Sequence, residues 1–87
     1  MLGSVEGNAT EIWIDKNIDG GDTLMTLTKN ARGELEGSVN YDNLHEEEGP
    51  VQLTPTPGGR TTEVTVESCT IEVDARQLQE AVAQLSP

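Results

Sequence analysis

The stretch from Asp15 to Asp22 is where the sequence spaces oxygen-bearing side chains most regularly. Its residues, DKNIDGGD, alternate Asp15, Asn17 and Asp19 and then place two glycines before Asp22. Carboxylate and amide oxygens are the ligands that Ca²⁺ takes in proteins. The same residue types also build tight turns, because Asn and Asp accept hydrogen bonds from turn amides and Gly adopts positive φ. The stretch therefore predicts either a calcium loop or a hairpin turn, and the turn is favoured.

The stretch resembles the start of an EF-hand loop, in which oxygens at positions 1, 3 and 5 face the ion and Gly at position 6 makes a sharp turn. The resemblance ends after these six residues. Position 12, a bidentate Glu in that family, is Thr26, and the flanking segments read as strands instead of helices. Calcium binding is therefore a weak hypothesis. Its candidate ligands are Asp15, Asn17, Asp19 and Asp22.

The usual catalytic residues are scarce, since the chain has one Cys and one His. Cys69 has no basic residue within six positions to lower its thiol pKa, so it reads as a small buried hydrophobe. His45 opens the segment HEEEGP, where His45, Glu46 and Glu48 could gather around a divalent ion, but a solvated acidic loop is the favoured interpretation. We expect no enzymatic activity and no cofactor.

Charge is the strongest signal in the sequence. Sixteen acidic residues against five basic ones give a formal net charge of -11, and no Lys or Arg occurs between Gly33 and Gly59. Such repulsion excludes direct binding to nucleic acid or to an anionic membrane, and it favours a basic protein surface as the partner. Trp13 stands between Glu11 and Asp15 and is a candidate anchor if it faces outward. The acidic candidates for partner binding are Glu34, Glu36, Asp42, Glu46, Glu47 and Glu48.

Carboxylates two residues apart on one strand face stand about 6.7 Å from each other, a separation of the order of that between backbone phosphates. The leading hypothesis is a small binding protein that occupies the positively charged, nucleic-acid-binding surface of a partner, as phage-type anti-restriction and anti-CRISPR inhibitors do. This comparison rests on charge and size alone. The alternatives are an assembly subunit that forms a homodimer or larger oligomer through a sheet edge, and the calcium module. Adaptation to a salty cytoplasm, or solubility alone, would also explain the acidity.

The elements that position these residues read mostly as short strands around a thin core. Only 33% of the residues are hydrophobic, with no Phe, one Trp and one Tyr. In ELEGSVNY, Leu35, Val39 and Tyr41 share one face, which predicts a half-buried strand. In TEIWID, Ile12 and Ile14 share a face, and PVQLT reads as a brief edge strand between prolines. Gly33 fits a short hairpin loop, and TPTPGGR predicts a wider reversal.

The segment TTEVTVESCTIEVDA changes its inward phase near Glu67 and Ser68. Val64 and Val66 occupy even positions, whereas the apolar residues from Cys69 onward occupy odd ones. One extra residue restores the register of a strand, so this slip predicts a β-bulge. The alternative is a sharp bend into a further strand.

A C-terminal helix follows. Asp74 is a good N-cap with Gln77 three residues later, and Leu78, Val82 and Leu85 then recur at helical spacing.

The predicted fold is α+β, a small antiparallel meander of four to five strands with one C-terminal helix packed on one face. Residues 1–87 form one domain, with a flexible lead-in over 1–8, the sheet over 10–73 and the helix over 75–85. The single Cys, and the absence of an N-terminal signal-peptide pattern or a long apolar run, predict a cytoplasmic location.

Overall fold

The computed structural model describes residues 1–42 and 45–87, which form seven strands and one helix. Each strand pairs antiparallel with the next one along the chain, and the sheet is nearly closed. The elements are β1 (Ser4–Gly7), β2 (Ile12–Ile18), β3 (Gly21–Lys29), β4 (Leu35–Tyr41), β5 (His45–Pro55), β6 (Thr61–Val66), β7 (Cys69–Asp74) and α1 (Ala75–Gln84). The α+β class, the antiparallel sheet and the C-terminal helix are confirmed, while the expected meander of four to five strands is only roughly right, because seven strands form a nearly closed sheet.

The core lies on one side of the sheet, as the alternation in β2 and β4 predicts. Ile12, Ile14 and Val39 are fully buried, and their strand neighbours in sequence are partly or fully exposed. Cross-strand partners extend the same inward face, because paired residues point to the same side of a sheet. The core residues are Ile12, Ile14, Met25, Leu27, Val39, Val64, Val66, Cys69, Ile71, Val73, Leu78, Ala81 and Leu85.

The N-terminal segment differs from the expected lead-in. Ser4–Gly7 forms β1 and pairs with β2, with Val5 opposite Ile14. The N–H of Gly3 donates to the carbonyl of Glu72 at 2.9 Å, which joins the first strand to the last. This segment has no apolar periodicity of its own, so it forms a strand because it pairs with β2 and contacts β7. We call this contact between the first and last strands the seam.

The predicted β-bulge is wrong, and the alternative of a sharp bend is what the structure shows. Glu67 and Ser68 form a tight turn, with φ of 52° at Glu67, between β6 and β7. Val66 pairs with Cys69 across this turn. Because paired residues share a face, the inward positions change from even to odd numbers there, and no extra residue is needed.

The acidic segment expected as a loop is the first half of β5. Residues 45–50 pair with β4 and residues 51–55 pair with β6, so one strand unites HEEEG with the predicted edge strand PVQLT. The strand therefore changes its partner at Pro50 and Val51 and joins two parts of the sheet. A run of three Glu gives no strand signal on its own, and pairing with β4 supplies it.

The helix begins as predicted. Asp74 caps it by accepting a hydrogen bond from the N–H of Gln77 at 3.0 Å. Leu78 and Ala81 are buried, and α1 packs against β1, β6 and β7. It therefore covers the region of the seam and leaves the outer side of β2 to β5 to solvent. In the described part of the chain, no helix has the length and apolar character that a membrane span requires.

Candidate functional site

Trp13 lies on the outer side of the sheet because its neighbours Ile12 and Ile14 fill the core. The register places it opposite Glu6 on β1 and Thr26 on β3. The same row continues through Ser38 on β4 to Glu48 on β5. Neighbouring strands lie about 4.8 Å apart, so this row of five side chains spans about 19 Å along the sheet.

A second row runs beside the first. It contains Asp15 on β2, Leu24 on β3, Asn40 on β4 and Glu46 on β5. Leu24 is 37% exposed. It is a diagonal neighbour of Trp13, because Trp13 pairs with Thr26 and Leu24 lies two residues before Thr26 on the same strand. The two rows therefore place an apolar pair between carboxylates.

We call the outward positions of β1 to β5 the acidic outer face. Its carboxylates stand at two edges, with Glu6 and Asp15 on one side and Glu36, Glu46 and Glu48 on the other, and all five are exposed. Uncharged side chains fill most of the strip between the edges, and Asp22 at the start of β3 adds a sixth exposed carboxylate at one end of that strip. The main members are Glu6, Trp13, Asp15, Asp22, Leu24, Thr26, Thr28, Glu36, Ser38, Asn40, Glu46 and Glu48.

Cations do not neutralise this face. Lys16 and Lys29 follow the inward phase of their strands, since Lys16 pairs with the buried Thr23 and Lys29 pairs with Leu35. Of the three arginines, Arg32 and Arg60 lie between strands and the third lies on α1. Within residues 1–42 and 45–87, the ion pairs are Arg32 with Glu34 at 4.0 Å and His45 with Glu47, and neither uses a carboxylate of the acidic outer face.

The structure separates the predicted acidic candidates. Glu36, Glu46 and Glu48 lie on the acidic outer face together with Trp13. Glu34 lies in the turn before β4, where it accepts a long hydrogen bond from the side chain of Asn30. The remaining two candidates, Asp42 and Glu47, also lie off the acidic outer face. Asp42 occupies a turn position after β4, with φ of 56°, and Glu47 points to the opposite side of β5 from its two neighbours.

The sequence does not identify Glu6 as a charged member of the face or Leu24 as an apolar one. Glu6 required β1 to be recognised as a strand, and only its pairing with β2 shows that. Leu24 sits in an apolar run whose inward and outward positions the sequence left unresolved. Once Met25 and Leu27 are known to be buried, the alternation of a strand places Leu24 outside.

Glu47 is a structural hub. Its carboxylate accepts hydrogen bonds from the Ser68 hydroxyl at 2.9 Å, the Ser68 N–H at 3.4 Å and the Tyr41 hydroxyl at 3.2 Å, and it contacts His45 Nε2 at 3.2 Å. The hydrogen bonds from Ser68 and His45 lower the pKa of Glu47 below its ordinary value of 4.5. The first half of β5 has no ladder to β6, and Glu47 ties it to the β6–β7 turn instead.

The same region does not assemble a nucleophile with a base. His45 Nε2 has the Glu47 carboxylate as its partner, and the Ser68 hydroxyl donates to the same carboxylate. Burial raises the pKa of the Cys69 thiol above its ordinary value. A raised pKa keeps the thiol protonated at neutral pH, whereas the thiolate is the reactive form. The geometry thus fits a structural connection.

The opening stretch is a hairpin turn. Ile18 pairs with Gly21, and the two residues between them, Asp19 and Gly20, have φ of 50° and 83°. Positive φ at both central residues is the geometry for which Asp-Gly is favoured. The outward Asp22 lies close to Asp15, and their hydrogen bond and charge repulsion raise the pKa of Asp22. Among the described residues, no group of three or more His, Cys, Asp or Glu could hold a metal ion.

A groove crosses β3, β4 and β5 at one end of the acidic outer face. It has a volume of about 580 Å³. Thr28 on β3 lines one side, Glu36 on β4 lies in the middle, and Glu48 and Pro50 on β5 line the other side, with Glu34 at the end. The groove therefore continues the acidic surface toward the second half of β5.

No protein-family model matches the chain, and comparison with curated proteins and with solved structures finds no match.

Proposed function

We propose that this protein is a small acidic binding protein whose acidic outer face occupies the positively charged, nucleic-acid-binding surface of a partner protein. One observation carries the proposal. The carboxylates of the acidic outer face lie on one outward side, exposed and without ion pairs in the described part of the chain. A basic surface would relieve their mutual repulsion and steer the association.

The spacing of the two acidic edges supports a partner that handles a duplex. Glu6 and Glu48 are four strand spacings apart, and Asp15 and Glu46 are three, which corresponds to about 14 to 19 Å along the sheet. The major groove between phosphate rows is about 12 Å wide, so the two edges are separated on the scale of those rows.

The uncharged strip between the edges supplies a centre for the interface. Trp13 and Leu24 lie there, with Thr26 and Ser38 beside them. Binding energy in protein interfaces concentrates in central aromatic residues that the partner desolvates, while surrounding polar contacts exclude water. Trp13 would therefore act as the anchor, and the carboxylates would set the orientation and the rate of encounter.

Charge reversal with a matched control tests the proposal. The double variant Glu46→Lys with Glu48→Lys alters the face, and Glu63→Lys with Glu80→Lys alters exposed acids on β6 and α1. Each Glu→Lys change adds two charges, so both variants carry a formal net charge of -7 instead of -11.

The assay measures how well each variant displaces a short DNA duplex from purified duplex-binding proteins with basic grooves. The wild type and the control should displace the duplex with similar affinity, and the face variant should bind at least about tenfold more weakly. Binding should weaken steeply as salt rises. Equal losses in both variants would show that net charge alone matters, and displacement by neither the wild type nor the control would remove the proposed function.

A further inference from the structure

The second half of β5 has an open edge. The last pair between β4 and β5 is Glu36 with Pro50, and the first pair between β5 and β6 is Val51 with Val66. From Gln52 onward β5 has a neighbour on its β6 side, and on its β4 side it has no strand partner among the described residues. An open edge presents a row of backbone donors and acceptors that another strand can pair with.

The register identifies the groups at this edge. The N–H of Thr56 bonds to the carbonyl of Thr61 at 3.1 Å, in the same register that pairs Val51 with Val66. Backbone groups alternate in direction along an antiparallel strand, so the even-numbered residues of this half bond to β6. The N–H and C=O groups of Leu53 therefore point to the open edge. Val51 has the same phase, but its N–H bonds to the Leu35 carbonyl, because Pro50 has no N–H and its pair with Glu36 is held by the flanking residues. Pro55 follows in the same phase and has no N–H to leave unpaired.

The side chain of Leu53 is also left partly uncovered. Leu53 pairs with Val64, which is fully buried, so both side chains lie on the core side of the sheet. Leu53 is nevertheless 40% exposed. A strand added beside the second half of β5 would cover this apolar surface as well as pair with the free backbone groups.

The acidic groove begins where this edge ends. Its walls carry Glu34, Glu36 and Glu48, and the ion pair of Glu34 with Arg32 is 4.0 Å long between two well-exposed side chains. Residues 49–59 carry no charge. A bound segment would thus meet a neutral edge first and a negatively charged groove next, so its two halves need different chemistry.

We infer that the split beyond the last pair of β4 and β5 binds an extended segment of another protein, which adds as a strand beside Leu53 and places Lys or Arg residues in the neighbouring groove. This mode of binding uses main-chain hydrogen bonds for affinity and side-chain contacts for specificity. The inference deepens the proposed function, because it shares Glu36 and Glu48 and names an extended basic segment as part of the partner. A second copy of this chain fits less well, since it would bring two sets of groove carboxylates to one split.

Amide hydrogen exchange with a synthetic peptide tests the inference. The probe has a Thr-Val-Thr-Val half followed by four Lys residues. At saturation, exchange of the Leu53 amide should slow at least about tenfold, because paired edge amides open less often. A peptide that is N-methylated at alternate residues should lose this protection, and so should a peptide with Glu in place of Lys.

Two proline variants supply the matched control. Leu53→Pro removes an N–H that points to the open edge, so it should keep the melting temperature near that of the wild type and weaken the peptide at least about tenfold. Thr54→Pro removes an N–H that bonds to β6, so it should destabilise the fold. If Leu53→Pro also fails to fold, the hydrogen-exchange result on the wild type decides.

The outcomes separate this inference from the proposed function. Peptide binding without protection of the Leu53 amide would overturn strand addition and leave the acidic outer face as the site. No peptide binding would also overturn the inference. Protection that appears without peptide as protein concentration rises would assign the edge to a second copy.

Discussion

Replacing Gly37 by Ala tests whether β6 approaches β4 as closely as the structure shows. Gly37 lies on β4 and faces the core. A Cβ atom there would lie 2.6 Å from Cγ2 of Val66, 3.0 Å from Cγ2 of Val51 and 3.1 Å from Cδ2 of Leu27. Carbon atoms pack best at about 3.5 to 4.0 Å, so Val66 would have to move by about 1 Å. Val66 and Leu27 are fully buried and have little room to do so.

The expected loss follows from two opposing effects. Overpacking a filled core costs about 1–3 kcal/mol. Ala restricts the unfolded chain more than Gly does, which raises the free energy of unfolding by about 0.4–1 kcal/mol where the native φ suits Ala. The φ of Gly37 is not positive, so it suits Ala. The net loss in free energy of unfolding is about 1.5 kcal/mol. For a domain of this size, that lowers the melting temperature by about 6–12 °C.

Gly49→Ala is the matched control. Its Cβ would meet Oε1 of Glu67 at 2.1 Å, but this atom is the end of a flexible, exposed side chain that can move away. We expect a melting temperature equal to or slightly above that of the wild type. Thermal and urea unfolding, followed by circular dichroism, measure both variants. A Gly37→Ala variant as stable as the wild type would refute the close approach of β6 to β4 across the bend in β5.

Three further predictions concern the site. Trp13→Ala should leave folding intact and weaken duplex displacement by about 2 kcal/mol, or about 30-fold, whereas Leu24→Ala should have a smaller effect; an unchanged affinity for Trp13→Ala would exclude it as the anchor. The lowered pKa of Glu47 means that its stabilisation is present above its ordinary value of 4.5 and is lost as the pH falls through the lower folded value, so Glu47→Gln should flatten the acid side of a stability-against-pH curve. The raised pKa of Asp22 has the opposite effect on how stability depends on pH. Its stabilisation is present below the ordinary value of 3.8 and is lost as the pH rises through the higher folded value. Asp22→Asn should therefore raise the melting temperature at pH 7, and a decrease would contradict the repulsion from Asp15.

Features fixed by neighbouring residues could be predicted from the sequence. Gly33 has the positive φ expected of a hairpin loop, and Asp74 caps the helix through Gln77 as the spacing indicates. The inward faces of β2 and β4 also follow from alternation within a few residues. Each of these features depends on contacts that are close along the chain, which is why the local pattern was sufficient.

Features that depend on pairing between strands could not be predicted. Ser4–Gly7 forms a strand because β2 and the seam to β7 receive it, and the first half of β5 forms a strand because β4 does. Neither segment has an apolar alternation of its own. The phase slip at Glu67 was visible, but a bulge and a tight turn change the phase alike, and only the pairing of Val66 with Cys69 distinguishes them.

The sequence by itself determined that the protein is strongly acidic and that residues between Gly33 and Gly59 carry no Lys or Arg. The tertiary structure decided where those charges act. Side chains alternate across a strand with a period of two, so the register of β5 turns Glu46 and Glu48 outward and Glu47 inward to Ser68. Register is set by pairing with another strand and, for Glu47, by a contact with Ser68 that lies 21 residues along the chain. The residues of one segment contain neither, so the sequence reveals the charge of the surface and the structure reveals its arrangement.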